Sequence, residues 1–192
     1  MKAARGLRVA LALLCAWTSG AWAESLAERM TPCLACHGEK GQSAMAEVPS
    51  LGAQTSPYLL IQLFLFREKL RRHEIMNEAV KGFTDDDLRT FADALAKLPA
   101  PAPAGEATAP TRMARGQALV QQYRCNICHA PNLAGRDAVP RIAGQREDFL
   151  VKTLREYKTN QRPGYDASMG DVMQPIPDGD IPDLAYFAAR QP

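Results

Sequence analysis

Cys33-Leu34-Ala35-Cys36-His37 and Cys125-Asn126-Ile127-Cys128-His129 write one five-residue pattern, Cys-x-x-Cys-His, twice in a chain of 192 residues. In a helical turn, cysteines three apart point the same way, so their sulfurs can reach the two vinyl groups of one haem and form two thioethers. The histidine that follows at once faces the iron and supplies an axial nitrogen. Structural disulfides, a four-sulfur zinc site and a thioredoxin-like dithiol also use paired cysteines. None of them accounts for a histidine directly after both pairs, and the chain holds only three histidines. The motifs therefore predict two covalent haem c groups, attached through Cys33, Cys36, Cys125 and Cys128, with His37 and His129 on the irons.

Working outward, the halves on either side of each motif repeat. Val48-Pro49, Gln54, Leu59, Leu63 and Phe66 match Val139-Pro140, Gln145, Leu150, Leu154 and Tyr157 at an offset of 91, and the motifs themselves at 92. Met76, Phe83, Asp87, Leu88 and Phe91 match Met169, Ile176, Asp180, Ile181 and Leu184 at 93. Landmark order is kept while loops change by a residue, as in a duplicated domain. The stretch Pro99 to Pro110 has no large apolar residue and too many prolines for a helix, and reads as a partly extended, semi-rigid linker. The expected organisation is a signal peptide at 1–23, a first domain at 24–98, a linker at 99–111 and a second domain at 112–192. Each domain is small enough for a side-chain core alone to be marginal, and a buried haem would supply the missing apolar centre.

The leader rests on Lys2, Arg5 and Arg8 ahead of the apolar run Val9 to Trp17, which is too short to span a bilayer and leads to the small-x-small site Ala21-Trp22-Ala23. Leu14 is too large for lipoprotein processing at Cys15. Without residues 1–23 the chain has 20 basic and 21 acidic side chains. That near-neutral balance lacks the basic footprint of a nucleic-acid binder.

The fold class expected is all-α. Leu59, Leu63, Phe66 and Leu70 form one helix face, echoed by Leu150, Leu154 and Tyr157. Thr84 and Asp87 cap a helix carrying Leu88, Phe91, Ala92 and Leu95. Asp178, Asp180 and Pro182 open another, which carries Ile181, Leu184, Ala185 and Ala188. The apolar segment Tyr58 to Phe66 is expected between the two domains. The charged run Arg67, Glu68, Lys69, Arg71, Arg72 and Glu74 reads as a solvated helix face rather than a docking patch.

The far side of each iron decides the chemistry, because a filled sixth position restricts a haem to electron transfer. The one spare histidine, His73, lies in the first copy. Methionine thioethers suit haem iron, and Met76 and Met169 occupy matching places, each twelve residues before the apolar residue that begins the last helix's buried face. They are the expected distal ligands. Met173 is the alternative to Met169, and His73 the alternative to Met76. Core packing is the ordinary use of a methionine, and the repeat is what outweighs it.

Two such motifs, each followed by a proline about a dozen residues on, a distal methionine and a terminal amphipathic helix, resemble the dihaem cytochrome c4 family over nearly all of the chain. The resemblance implies two tandem class I cytochrome c-like domains, each wrapped around one covalent haem. It also implies a periplasmic location and electron transport in a respiratory chain, toward a terminal oxidase. Pro49 and Pro140 would be the residues whose carbonyls orient His37 and His129. Its partners would be redox proteins such as a terminal oxidase, a cytochrome bc1 complex or a periplasmic dehydrogenase, with at most weak membrane association and no nucleic acid. Ala130-Pro131 departs from the pattern, since the first copy has Gly38 there. A second function class is the dihaem cytochrome subunit of a periplasmic dehydrogenase, such as flavocytochrome sulfide dehydrogenase. A third, a dihaem enzyme, needs an open or unusual haem ligand, and matching methionines argue against it. The expectation is an electron-transfer protein, not an enzyme.

Overall fold

In the computed structural model, residues 24–105, 108–162 and 168–192 are described; the expected signal peptide lies outside them. The first copy contains α1 (Leu26–His37), α2 (Ser56–Arg67), α3 (Glu74–Ala79) and α4 (Asp85–Ala96). The second contains α5 (Pro110–Gln122), α6 (Cys125–Cys128), α7 (Glu147–Lys158), α8 (Ser168–Met173) and α9 (Ile181–Ala189). Among the described residues there is one isolated bridge, Arg136 to Val139, and no strand. No helix among them is long and apolar enough to cross a membrane.

Each copy has its own apolar core, and the two cores use the same positions. Leu88, Phe91, Ala92 and Leu95 of α4 are buried in the first. Ile181, Leu184, Ala185 and Ala188 of α9 take their places in the second. Helices α2 and α7 pack across these faces through Leu59, Leu63 and Phe66 and through Leu150, Leu154 and Tyr157. Gly116 lets α5 cross α9 closely, since a Cβ there would lie 2.4 Å from the Asp183 carbonyl oxygen.

Local chemistry sets the helix ends. Ser25 with Glu28 and Thr84 with Asp87 each form a reciprocal capping box, and such a cap contributes about 1 kcal/mol. Asp87 also holds Arg29 of α1 at 2.6 Å. The Thr84 backbone N–H, followed by the Arg29 guanidinium, lowers the Asp87 pKa to about 2. A depressed carboxyl stabilises the fold fully above its ordinary value and less as it protonates. The α1–α4 contact should therefore weaken as pH falls from about 4 through about 2. In an acid titration followed by circular dichroism, D87N should already be weakened at neutral pH and should lack this step. Superimposable profiles would contradict it.

The α2 face is shorter than its periodicity predicts. Leu59, Leu63 and Phe66 are buried, but Leu70 is 56% exposed. Lys69 adopts φ 56°, and the Arg71 N–H closes back onto the Leu65 carbonyl at 3.0 Å, ending the helix. Asn160 and the Arg162-to-Glu156 bond end α7 in the same way. These turns swing Arg71 inward, so it does not belong to the solvated face expected of the charged run. The apolar residues of α2 are divided among several surroundings, and Tyr58 and Ile61 face the cavity that both halves line, described below. One side feeds its own core, and Phe64 is 42% exposed.

Several polar contacts join the halves. Lys152 reaches Glu47 at 2.8 Å, the Glu47 N–H donates to Asp148 at 3.1 Å, and Arg162 donates to the Tyr58 hydroxyl at 3.3 Å. The proline-rich connection is pinned to both halves. Gln42 brackets the backbone of Ala102, and the Ala104 N–H donates to the Ala189 carbonyl at 2.8 Å. Helix α5 takes in Pro110 and Thr111, the last two residues of the expected linker.

Candidate haem centres

The first motif lies in the last turn of α1, and Gly38, at φ 86°, turns the chain away directly after His37. The second is built differently. Helix α5 stops at Gln122, Arg124 adopts a left-handed conformation, and Cys125 to Cys128 form a separate single turn capped by His129. None of the four motif cysteines forms a disulfide, and burial pushes the Cys33 and Cys125 thiols above the usual range. No three His, Cys, Asp or Glu side chains among the described residues converge as a metal cluster, so the four sulfurs are not gathered at one point.

The two histidines end in the same geometry despite their different helices. His37 Nδ1 lies 2.8 Å from the Pro49 carbonyl oxygen, and His129 Nδ1 lies 2.8 Å from that of Pro140. A carbonyl only accepts, so Nδ1 carries the proton and Nε2 keeps its lone pair for a metal. Both rings are buried, and burial lowers both pKa values.

Both motifs open onto one continuous cavity of about 660 Å³, a size typical of cofactor sites. Met45, Leu70, Ile75 and Val172 are large exposed apolar side chains that all line it. An apolar cofactor filling the cavity would cover them, which is the observation that fits a haem to each motif. Arg71 and Arg162 stand in its wall. Arg71 donates to Gln62 at 2.6 Å and stacks over Phe66; Arg162 donates to Thr153 at 3.2 Å and stacks over Tyr157. Burial, then the Arg162 charge, lowers Arg71 to about 10, so both remain cations. Among the described residues, Glu156 pairs with Arg162 at 3.5 Å. Two buried like charges suit a ligand bringing carboxylates of its own, as haem does through its propionates.

The four distal candidates all line this cavity but differ in setting. Met76 is half-buried on α3 and Met169 half-buried on α8, each packed against its own core. Met173 is 1% exposed within the second core. His73 is exposed at the N-cap of α3, where Nδ1 faces the Met76 N–H at 3.5 Å.

Reading residue by residue missed two further pairs that recur at the offset of 91. Arg71 lies within a charged run, which hides its match with Arg162. Gln54 and Gln145 mark the repeat and carry no local sign of a role. Recurrence of a polar residue inside an apolar repeat was the available signal for both.

No family model matches the chain. It is 29% identical over 148 residues to cytochrome c4 of Azotobacter vinelandii, covering 68% of this chain and 69% of the relative. It is also 29% identical over 187 residues to a thiosulfate dehydrogenase electron acceptor of Thiomonas intermedia, covering 92% and 86%. In fold it resembles the crystal structure of cytochrome c4 from Pseudomonas stutzeri, with a TM-score of 0.79 and 24% identity, covering 86% of this chain and 96% of that one. Paired haem motifs with matched histidine geometry, duplicated helical cores and these likenesses show two class I cytochrome c-like domains and a dihaem electron-transfer cytochrome with two covalent haem c groups, similar to the cytochromes c4.

Proposed function

We propose that this chain is an exported, periplasmic electron carrier in which His37 and Met76 hold the first haem iron and His129 and Met169 the second. Cys33 and Cys36, and Cys125 and Cys128, supply the thioethers. The domains run from 24 to 98 and from 112 to 192, joined by 99–111. The observation that carries the reading is the pair of Nδ1–H to proline carbonyl bonds at 2.8 Å, which leaves both Nε2 atoms free beside their cysteines.

Haem supplies the one-electron iron couple. The chain's part is to hold the irons, exclude water and tune them. The two histidines are fixed in ring orientation and tautomer by the proline carbonyls. Burial in the cavity wall keeps them neutral and able to ligate. Register supports Met169 over Met173. The Phe83 N–H bonds to the Val80 carbonyl and the Ile176 N–H to that of Met173, so Met173 occupies the core position of Val80. Met169 is then left in the place of Met76. His73 is exposed and caps its own helix, which supports Met76. Two filled sixth positions favour electron transfer over catalysis.

A free carrier delivering electrons toward a terminal oxidase is the leading role. The subunit role in a dehydrogenase is kept because the electron-acceptor relative matches 92% of this chain. The protein purified with its haems should weigh two haems more than its polypeptide, should keep them through acidified acetone, and should not bind carbon monoxide when reduced. One haem or none would sink the ligand assignment, and carbon monoxide binding would sink the carrier role. Co-purification of a dehydrogenase chain would move the protein to the second role.

A further inference from the structure

Gln54 and Gln145 reach across the domain interface in a reciprocal pattern that the proposed carrier role does not yet use. The Ser50 N–H donates to Gln145 Oε1 at 2.8 Å, and Gln145 Nε2 donates to the Ser50 carbonyl at 2.9 Å. In the mirror arrangement, the Arg141 N–H donates to Gln54 Oε1 at 2.7 Å and Gln54 Nε2 to the Arg141 carbonyl at 3.0 Å. Both glutamines are buried.

The residues they grip follow the two prolines. The Ser50 N–H and the Pro49 carbonyl are two ends of one peptide group, as are the Arg141 N–H and the Pro140 carbonyl. A single chain of bonds therefore runs from Gln145 Oε1 through the Pro49–Ser50 amide to His37 Nδ1. A second runs from Gln54 Oε1 through the Pro140–Arg141 amide to His129 Nδ1.

We propose that Gln145 and Gln54 are positioning residues through which each domain sets the redox potential of the haem in the other. The inference rests on His37 and His129 being the iron ligands. An acceptor on an amide N–H shifts electron density toward the carbonyl oxygen, and hydrogen bonds in series strengthen one another. A stronger acceptor at Nδ1–H makes the imidazole a more basic ligand. Greater basicity favours the oxidised iron and lowers its potential. The domain contact is thereby part of each haem's ligand field.

The test is a redox titration of the holoprotein, resolving its two one-electron steps, for Q145L and Q54L. Each variant should raise one step and leave the other in place, and the two variants should move different steps. Q145E, with a stronger acceptor, should move the step that Q145L raises in the opposite direction. In reduced protein labelled with nitrogen-15 at histidine, Q145L should shift the Nδ1–H signal of one ligand histidine and Q54L that of the other, a readout available even if the steps overlap. Both steps moving together in either variant, or neither moving, overturns the proposal. Failure of the ligand assignment shows separately, as wild-type protein lacking two haems or two histidine-ligand signals.

Discussion

Met169→Ala should remove about half of the weak sulfur-to-iron absorption band of the oxidised protein, lower the potential of one haem and open one iron to carbon monoxide. Methionine ligation raises a haem's potential relative to histidine, and loss of the thioether withdraws that effect from one iron only. Met173→Ala should leave the band intact and instead cost stability. Met173 is 1% exposed in the second core, and truncating a buried methionine to alanine costs about 2–5 kcal/mol through lost transfer energy and the cavity left behind. Spectra separate the two variants, and denaturant unfolding separates them in the reverse order. If Met173→Ala abolishes the band and Met169→Ala does not, the second copy is one helical turn out of register. Met76→Ala should repeat the Met169 result at the other haem, and His73→Ala should not change the band.

The second large effect is expected at the residue after each histidine, where the copies differ. Gly38 has φ 86° and ψ 140°, and a Cβ built there would lie 2.0 Å from the Gln42 carbonyl oxygen. A side chain in that backbone region costs on the order of 1–3 kcal/mol before any clash. Gly38→Ala should therefore destabilise the first domain by about 3 kcal/mol or more and reduce the yield of protein with the first haem attached. Ala130 stands at the matching position with φ 69°, a left-handed conformation that alanine adopts under strain. Ala130→Gly should relieve about 1 kcal/mol of that strain, offset by the greater freedom glycine gives the unfolded chain. Haem content per chain and denaturant midpoints measure both. An unperturbed Gly38→Ala would mean that the turn after the first motif can be rebuilt.

Chemistry written in contiguous residues was legible without a structure. Cys-x-x-Cys-His places donors within one helical turn, where spacing alone determines which way side chains point, so both motifs could be read outright. The recurrence of Pro49 and Pro140, of Met76 and Met169, and of the α4 and α9 core positions was equally open, because an internal repeat compares the chain with itself. The capping box at Thr84 and Asp87 is a local interaction and formed as its sequence implied.

What needed the tertiary structure was everything set by contacts between distant segments. Leu70 fits the α2 period, yet the chain turns at Lys69 and leaves Leu70 facing the cavity, because the Arg71 N–H bonds back to the Leu65 carbonyl. Arg71 lies among charges that read as a solvated run, but its environment is the cavity wall and a second arginine 91 residues away. Gln54 and Gln145 carry no local signal of role, since a glutamine's partners depend on which backbone comes within reach. Periodicity and motif spacing report only on neighbours along the chain. The pairing of each glutamine with the opposite domain's proline turn arises only when the two copies dock.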